Sequence, residues 1–463
     1  MQLVNVRRTL RGSEPLGEIP PQKELIRNAV SMAWPSIVES FLIAFVGMVD
    51  TMMVGSLGSH AITAVGLCTQ PKFIMYAFFM ALGVAVSATV ARRRGERDRE
   101  GANRVLVQAL LISIGVTILI SITAFKFADP ILRFAGSAPD THAESVAYFQ
   151  VLSIGLCFTS TTLIINAAQR GAGNTRLAMQ TNMVSNLVNV FFNYLLIGGN
   201  FGFPRLEVKG AAIATVIGTA CGFLMSLRSV SGSHGFLFLF DLHNLGFDKK
   251  TLRGLASVGS STLAEQIFMR IGFLTYAKIV AGLGTTAFAA HQIGLNLLTL
   301  SFSLGDGLST ASIALVGRSL GSGRPDMAKI YGSVCQRMGF FFSVMVSIFF
   351  LSGNERIFRL FNDEPEVLQY SWIIIVTLCI TVFAQISNVI FTGCLRAGGD
   401  TLYTAVVALI SITIVRPLAG WVFCYPVGWG LAGAWVGLLV DQASRIAMTY
   451  PRFCSGRWTK ISL

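Results

Sequence analysis

The chain has 463 residues, of which 53% are hydrophobic and 13% charged, with a net charge of +13 and a mean hydropathy of +0.64. An ordinary soluble domain carries about a quarter charged residues, so composition excludes that class. Apolar runs of about 20 residues, the length needed to cross the hydrocarbon core of a bilayer, recur throughout.

Taken in chain order, residues 1–28 are polar, with Arg7, Arg8, Arg11, Lys23 and Arg27, and lack the apolar stretch of a cleavable signal. They read as a cytoplasmic N-terminal segment. Twelve apolar spans follow, centred on Ala44, Met80, Gly115, Gly155, Val188, Val216, Phe268, Leu304, Val344, Phe383, Ser411 and Leu439. The short alternating strands of a membrane barrel do not occur. The expected fold is therefore an all-α polytopic membrane protein, with twelve transmembrane helices in two six-helix repeat lobes. The N-lobe covers 29–235, a cytoplasmic linker 236–254, the C-lobe 255–451 and a cytoplasmic tail 452–463.

With the N-terminus inside, 26 of the 36 Lys and Arg residues fall in cytoplasmic segments, 7 in outer loops and 3 within spans. That asymmetry follows the positive-inside rule. The basic balance sets topology and places both termini in the cytoplasm; no nucleic-acid partner is expected. The Arg92-Arg93-Arg94 run sits at an inner helix end, where anchoring to anionic headgroups accounts for it. The eight cysteines form no CxxC pair and read as small buried side chains.

The two halves repeat. Gln169-Arg170-Gly171-Ala172-Gly173-Asn174-Thr175 returns as Leu395-Arg396-Ala397-Gly398-Gly399-Asp400-Thr401, a shift of 226 residues that also carries Glu39 onto Glu265, Gly58 onto Gly284, Ala64 onto Ala290, Arg92 onto Arg318 and Gly95 onto Gly321. Duplicated membrane halves commonly enclose a transport path.

Ionisable residues within membrane spans are costly and are functional candidates by default. Here they are Glu39 and Asp50 in the first span, Glu265, Arg270 and Lys278 in the seventh, Asp306 in the eighth, Arg416 in the eleventh and Asp441 in the twelfth. Asp50 lies 11 residues beyond Glu39, so both face one way about 16 Å apart, and Pro35 is positioned to bend that helix. In the fifth span Asn182, Asn186, Asn189 and Asn193 line one face. At the 226-residue shift their counterparts are Ala408, Ile412, Val415 and Ala419, none of them polar, which leaves a polar lining in the N-terminal half alone. Such amides serve either a binding site or helix–helix contact. Glu265 reads as a partner for a cationic substrate, unless Arg270 and Lys278 neutralise it. Arg416, before Pro417, reads as structural, pairing an acid or donating to freed carbonyls. Asp306, between two glycines, reads as a helix break or as a water-facing residue.

The residues that carry the repeat also resemble the MATE (multidrug and toxic compound extrusion) transporters. Trp34-Pro35 leads to Val49-Asp50-Thr51-Met52-Met53-Val54-Gly55 and Leu57-Gly58. Ala290-His291-Gln292-Ile293, the Arg-x-Gly-Gly-Asp-Thr loop, Arg416-Pro417-Leu418 and Gly210-Ala211-Ala212-Ile213-Ala214-Thr215 fit in order over roughly residues 25–450. The resemblance implies two six-helix lobes exporting small organic cations and drugs against sodium or protons by rocker-switch alternation. It implies a cation site at Asp50, Asn189, Asn193 and Thr215, a substrate or coupling role for Glu265 and Glu39, and a bend of the first helix at Pro35. Asn193 and Gln385 are neutral where some members carry Asp, so sodium and proton coupling both stay open. The expected setting is the plasma membrane, a bacterial inner membrane, as a monomer in contact with lipid.

No cofactor and no metal beyond Na+ is expected: the histidines are scattered without HExxH spacing, and the Gly-rich loops lack a P-loop lysine. Abundant Phe and Met suit promiscuous apolar cations. The rival function is a flippase for a lipid-linked oligosaccharide or other polyisoprenyl substrate, which would need a basic cavity; Arg270, Lys278 and Arg416 oppose the acids here. An intramembrane enzyme would need a nucleophile–base pair that the sequence does not supply.

Overall fold

A computed structural model describes residues 15–55, 57, 59–135, 137, 139, 141–232, 235–239, 248–359 and 365–461. Gly58, His234, His243 and positions 240–247 of the expected linker lie outside the described residues. Among the described residues there are twelve long helical segments: α1 (Gln22–Gly55), α2 (Ser59–Gly95), α3 (Arg99–Lys126), α4 (His142–Gly171), α5 (Thr175–Gly198), α6 (Glu207–Ser231), α7 (Lys249–Ala281), α8 (Thr285–Gly321), α9 (Pro325–Arg359), α10 (Ser371–Ala397), α11 (Thr401–Cys424) and α12 (Gly430–Ser455). No strand occurs among the described residues. Nine of the twelve are apolar and long enough to cross a membrane. The remaining three, α5, α7 and α12, have 24, 33 and 26 residues and carry the amides and charges discussed below. Large apolar side chains such as Leu119 (67% exposed) and Ile348 (62%) stay outside the packed core, a surface suited to lipid and not to water. The helix α1 starts at Gln22, within the expected N-terminal segment.

The chain falls into two compact units, Met1–Ile37 with Ser260–Leu463, and Val38–Gly259. Their boundaries lie inside α1 and α7 and not in loops. In the second unit α4 is central, packing against α2, α3 and α6, while α5 packs against α6. In the first unit the repeat counterpart α10 packs against α8, α9 and α12, while α11 packs against α12. The duplicated sequence thus yields the same internal order twice.

The repeated loop shows how the sequence enforces this. Gly173 and Gly399 have φ of 83° and 88°, the left-handed region where only glycine is cheap. Each turn is closed by the next residue: Asn174 N donates to the Gln169 carbonyl at 2.8 Å and Asp400 N to the Leu395 carbonyl at 2.9 Å. The arginine ahead of each turn is thereby aimed at the first helix of its own half. Arg170 donates to Glu39 at 2.8 Å and Arg396 to Glu265 at 2.6 Å. A third residue completes each cluster, Asn182 on Glu39 and Thr404 on Glu265 at 3.0 Å. Both carboxylates are buried, 6% and 5% exposed. Glu265 is thus hydrogen-bonded by Arg396 and Thr404, from two other helices, which the sequence reading, weighing only Arg270 and Lys278 as neutralising charges, had not considered.

The two halves differ in one respect. Leu409–Val415 of α11 is a π-helical turn, in which Arg416 N donates to the Ser411 carbonyl, five residues back. Pro417 follows, with no N–H to continue an α-helical ladder and a ring that crowds the preceding turn. Elsewhere glycines mark close approaches. Across Gly305-Asp306-Gly307 the helix α8 is unbroken, which corrects the expected break. A Cβ on Gly307 would lie 2.6 Å from Ile37, so that glycine serves packing.

Two outcomes follow. A Cβ at Gly171 would lie 2.4 Å from the Ser87 carbonyl oxygen, whereas one at Gly115 meets nothing within 4 Å. Gly171→Ala should destabilise by about 1–3 kcal/mol and Gly115→Ala should not, as read by thermal unfolding in detergent. Arg170→Ala, which strands a buried carboxylate, should cost about 3 kcal/mol or more. Glu39→Gln should cost less, since Arg170 keeps some solvent access (21% for its side chain).

Candidate cation site

The helices α1 and α5 meet acid to amide in a constant register. Asn182 reaches Glu39 and Asn193 reaches Asp50, each pair 143 residues apart in sequence. Eleven residues on each helix separate the two contacts, about three turns, so the helices run side by side in one direction. The asparagine face predicted for α5 is turned towards the acids of α1.

At the Asp50 end, Asn193 Nδ2 donates to Asp50 Oδ1 at 2.7 Å. The Asn189 amide best suits Asp50 and Thr215 with Nδ2 facing both Asp50 oxygens, at 3.0 and 3.2 Å, and Oδ1 facing the Thr215 hydroxyl and backbone N–H, both at 3.2 Å. Thr215 lies on α6, and a small residue brings that helix close. A Cβ at Gly218 would sit 2.9 Å from Asn189 Cβ and 2.6 Å from the Ser185 carbonyl, the close backbone approach that small residues permit in membranes. Val54, Cys68, Met75 and Tyr148 share one buried apolar cluster, supplied by the turn of α1 after Asp50 and by α2 and α4. Asp50, Asn189, Asn193 and Thr215 are thus assembled within a single unit.

Two features of this cluster bear on ions. Asn193 is 1% exposed, and its Oδ1 has no hydrogen-bond partner among the described residues. A buried unpaired acceptor is costly, and a cation or a proton-bearing group would remove that cost. Further, an amide presents a donor at one end and an acceptor at the other. Turned one way, Asn189 and Asn193 satisfy a bare carboxylate. Turned the other, they add oxygen ligands to a hard cation, or accept from a protonated Asp50. The donor set (a carboxylate, amide oxygens and a hydroxyl) fits Na+ as well as H+.

The remaining candidates are arranged otherwise. Glu39 lies three turns away in the same unit, held by Arg170 and Asn182. Glu265 belongs to the other unit and is held by Arg396 and Thr404. Pro35 is buried within an α1 that is helical from Gln22 to Gly55. Asp441, 0% exposed, is bound by Arg416 and Arg445, each at 2.7 Å. Asn186 leaves its Nδ2 without a partner between the two clusters. Sequence reasoning missed Lys72. Absent from the charges counted within spans, it lies inside α2, close enough to Asp50 for the two charges to interact. A single lysine within a run otherwise apolar from Phe73 onward was the available signal.

The MatE family model matches residues 35–195 and 262–422, once in each half. The chain is 27% identical over 451 residues to a protein of Thermotoga maritima named probable multidrug resistance protein NorM, covering 96% of this chain and 95% of that one. It is 25% identical over 453 residues to multidrug resistance protein MdtK of Yersinia pestis, covering 93% and 95%. Among solved structures, an outward-facing multidrug resistance MATE family transporter of the MOP superfamily superposes with a TM-score of 0.86 at 20% identity, over 95% of this chain and 100% of that one. A MATE in the straight conformation does so at 0.87 and 19% identity, with the same coverage. With the family pattern present in both repeats, the chain belongs to the MatE family and is a membrane transporter, not an enzyme.

Proposed function

We propose that the protein is a secondary active multidrug exporter of a bacterial inner membrane, exchanging Na+ or H+ for organic cations through Asp50. The observation that carries the reading is the kind of partner Asp50 has beside those of Glu39, Glu265 and Asp441. Glu39, Glu265 and Asp441 are held by arginines, whereas the hydrogen-bonding partners of Asp50 are the neutral amides of Asn193 and Asn189. A permanent guanidinium makes a carboxylate unavailable to an exchanging cation; an amide does not. Names of relatives that include multidrug resistance support drugs as the cargo.

In the proposed cycle, a cation arriving at Asp50 turns the Asn189 and Asn193 amides, and Pro35 gives α1 the freedom to bend. Substrate and cation occupancy are linked through one conformational equilibrium, so each must change the affinity for the other by the same factor. Glu39 and Glu265 hold α1 and α7 to their own halves while this happens.

The test is uptake or release of a fluorescent organic cation by proteoliposomes under a sodium gradient or a proton gradient imposed separately. Transport under one gradient supports the exchange and names the ion; transport under neither sinks it. Asp50→Asn should lower the rate at least about tenfold at unchanged protein stability. Asn193→Ala should weaken the apparent cation affinity by about 5- to 30-fold, the worth of one or two lost polar contacts. Lys72→Gln removes a competing positive charge and should strengthen that affinity by about 3- to 10-fold in low salt.

A further inference from the structure

We infer that the C-terminal half holds the counterpart of the Asp50 site with its cation built in, the guanidinium of Arg416. The argument starts from register. The 226-residue shift places Tyr276 of α7 where α1 has Asp50. In α11 the π-helical turn at Leu409–Val415 inserts one residue, so beyond it the counterpart of Asn189 is Arg416 and that of Asn193 is Gly420. Contacts agree with this. A Cβ at Gly420 would meet the Tyr276 ring at 2.8 Å, just as Asn193 meets Asp50. The loops that follow agree too: Leu206 N donates to the Leu196 carbonyl in one half and Trp429 N to the Phe423 carbonyl in the other.

The sixth helices align through their close-packed glycines. A Cβ at Gly210 would press on the Leu196 carbonyl at 2.6 Å, and one at Gly433 on the Phe423 carbonyl at 2.4 Å. That alignment sets Gly218, which packs on Asn189, against Asp441, which binds Arg416. The C-terminal half is therefore not apolar at these positions, as the unshifted alignment suggested. Its acid has moved from the first helix of the half to the sixth, and its amide has become a guanidinium.

The surroundings of that guanidinium have the chemistry of an organic-cation site. Arg416 donates through Nε and Nη2 to Asp441 Oδ2 at 3.0 and 2.7 Å. Its guanidinium carbon lies 4.8 Å from the Phe273 ring centroid and 5.8 Å from that of Tyr276. The phenol donates to the Ala434 carbonyl, which fixes the ring. Carboxylate and aromatic rings are what recognise a delocalised cation, and Arg416 is only 5% exposed. Arg445 donates to the same carboxylate from one turn along α12. The consequence, resting on the reading of Asp50 as a cation site, is that exchange at these paired positions occurs in the N-terminal half alone.

Thermal unfolding of the full chain in detergent, with methylguanidinium as the probe, tests this. Arg416→Ala should be destabilised, and about 20 mM methylguanidinium should raise its midpoint by about 3 °C or more. Wild type should shift by less than about 1 °C, and Asp441→Asn added to Arg416→Ala should abolish the rescue. Absence of rescue in the single variant, or equal rescue in wild type or the double variant, overturns the inference and leaves an ordinary structural ion pair. Should Arg416→Ala fail to fold, Arg416→Gln takes its place. A separate arm uses Asp50→Asn with Arg416 intact: stabilisation of that protein by methylguanidinium would mean an open C-terminal site and would also overturn it. If instead neither gradient drives transport while the rescue appears as expected, the exporter reading fails and the Arg416 assignment stands.

Discussion

The structure depends on how a carboxylate is kept inside a membrane protein. Removing such a charge from water is expensive unless it is paired and hydrogen-bonded, so every acid in a span must bring its partner with it. This chain uses two kinds. Glu39 and Glu265 receive an arginine from the last turn of the fourth helix of their half, and Asp441 receives two. Asp50 receives amides. The first kind fixes helices; the second leaves the charge open to exchange.

The fixed kind explains why the loop motif recurs. Its glycines turn the chain, and the turn delivers the arginine to the first helix of the same half. Loss of the left-handed glycine would misplace the guanidinium as well as strain the backbone. The conspicuous sequence repeat thus records a pair of ion pairs, each spanning 131 residues, and not a phosphate loop. Glu39 and Glu265, with arginines already on them, are suited to holding α1 and α7 in place in the exchange proposed for Asp50.

Much of the fold was legible in sequence because the membrane imposes length and polarity on every crossing element. The spans, the duplication and the asparagine face of α5 follow from periodicity alone. The grouping of Asp50 with Asn189 and Asn193 was half legible. Spacing put each set on one face of its own helix, but only the family resemblance joined them, since nothing in one sequence says that α1 and α5 are neighbours. Thr215 came from resemblance, since a threonine in an apolar helix has no signature of its own. Lys72 was not counted among the charges within spans, although α2 begins well before it, at Ser59. For Glu265 only charges on its own helix were weighed as neutralising partners, and Arg396, in the last turn of α10, was not.

The deepest misreading concerned a single residue of register. A fixed shift of 226 set the asparagines of α5 against apolar side chains and made the C-terminal half look empty of polar function. One π-helical turn before Arg416-Pro417 moves everything after it by one position, and that brings a guanidinium to the place of Asn189. A helix gains about 100° of rotation per inserted residue, so the insertion changes which face meets the neighbouring helix. The same scaffold then carries an acid held by amides in one half and an acid held by arginines in the other. One inserted residue, with Tyr276 in the place of Asp50 and Asp441 in that of Gly218, makes two copies of a unit chemically different with no change in the surrounding helix order.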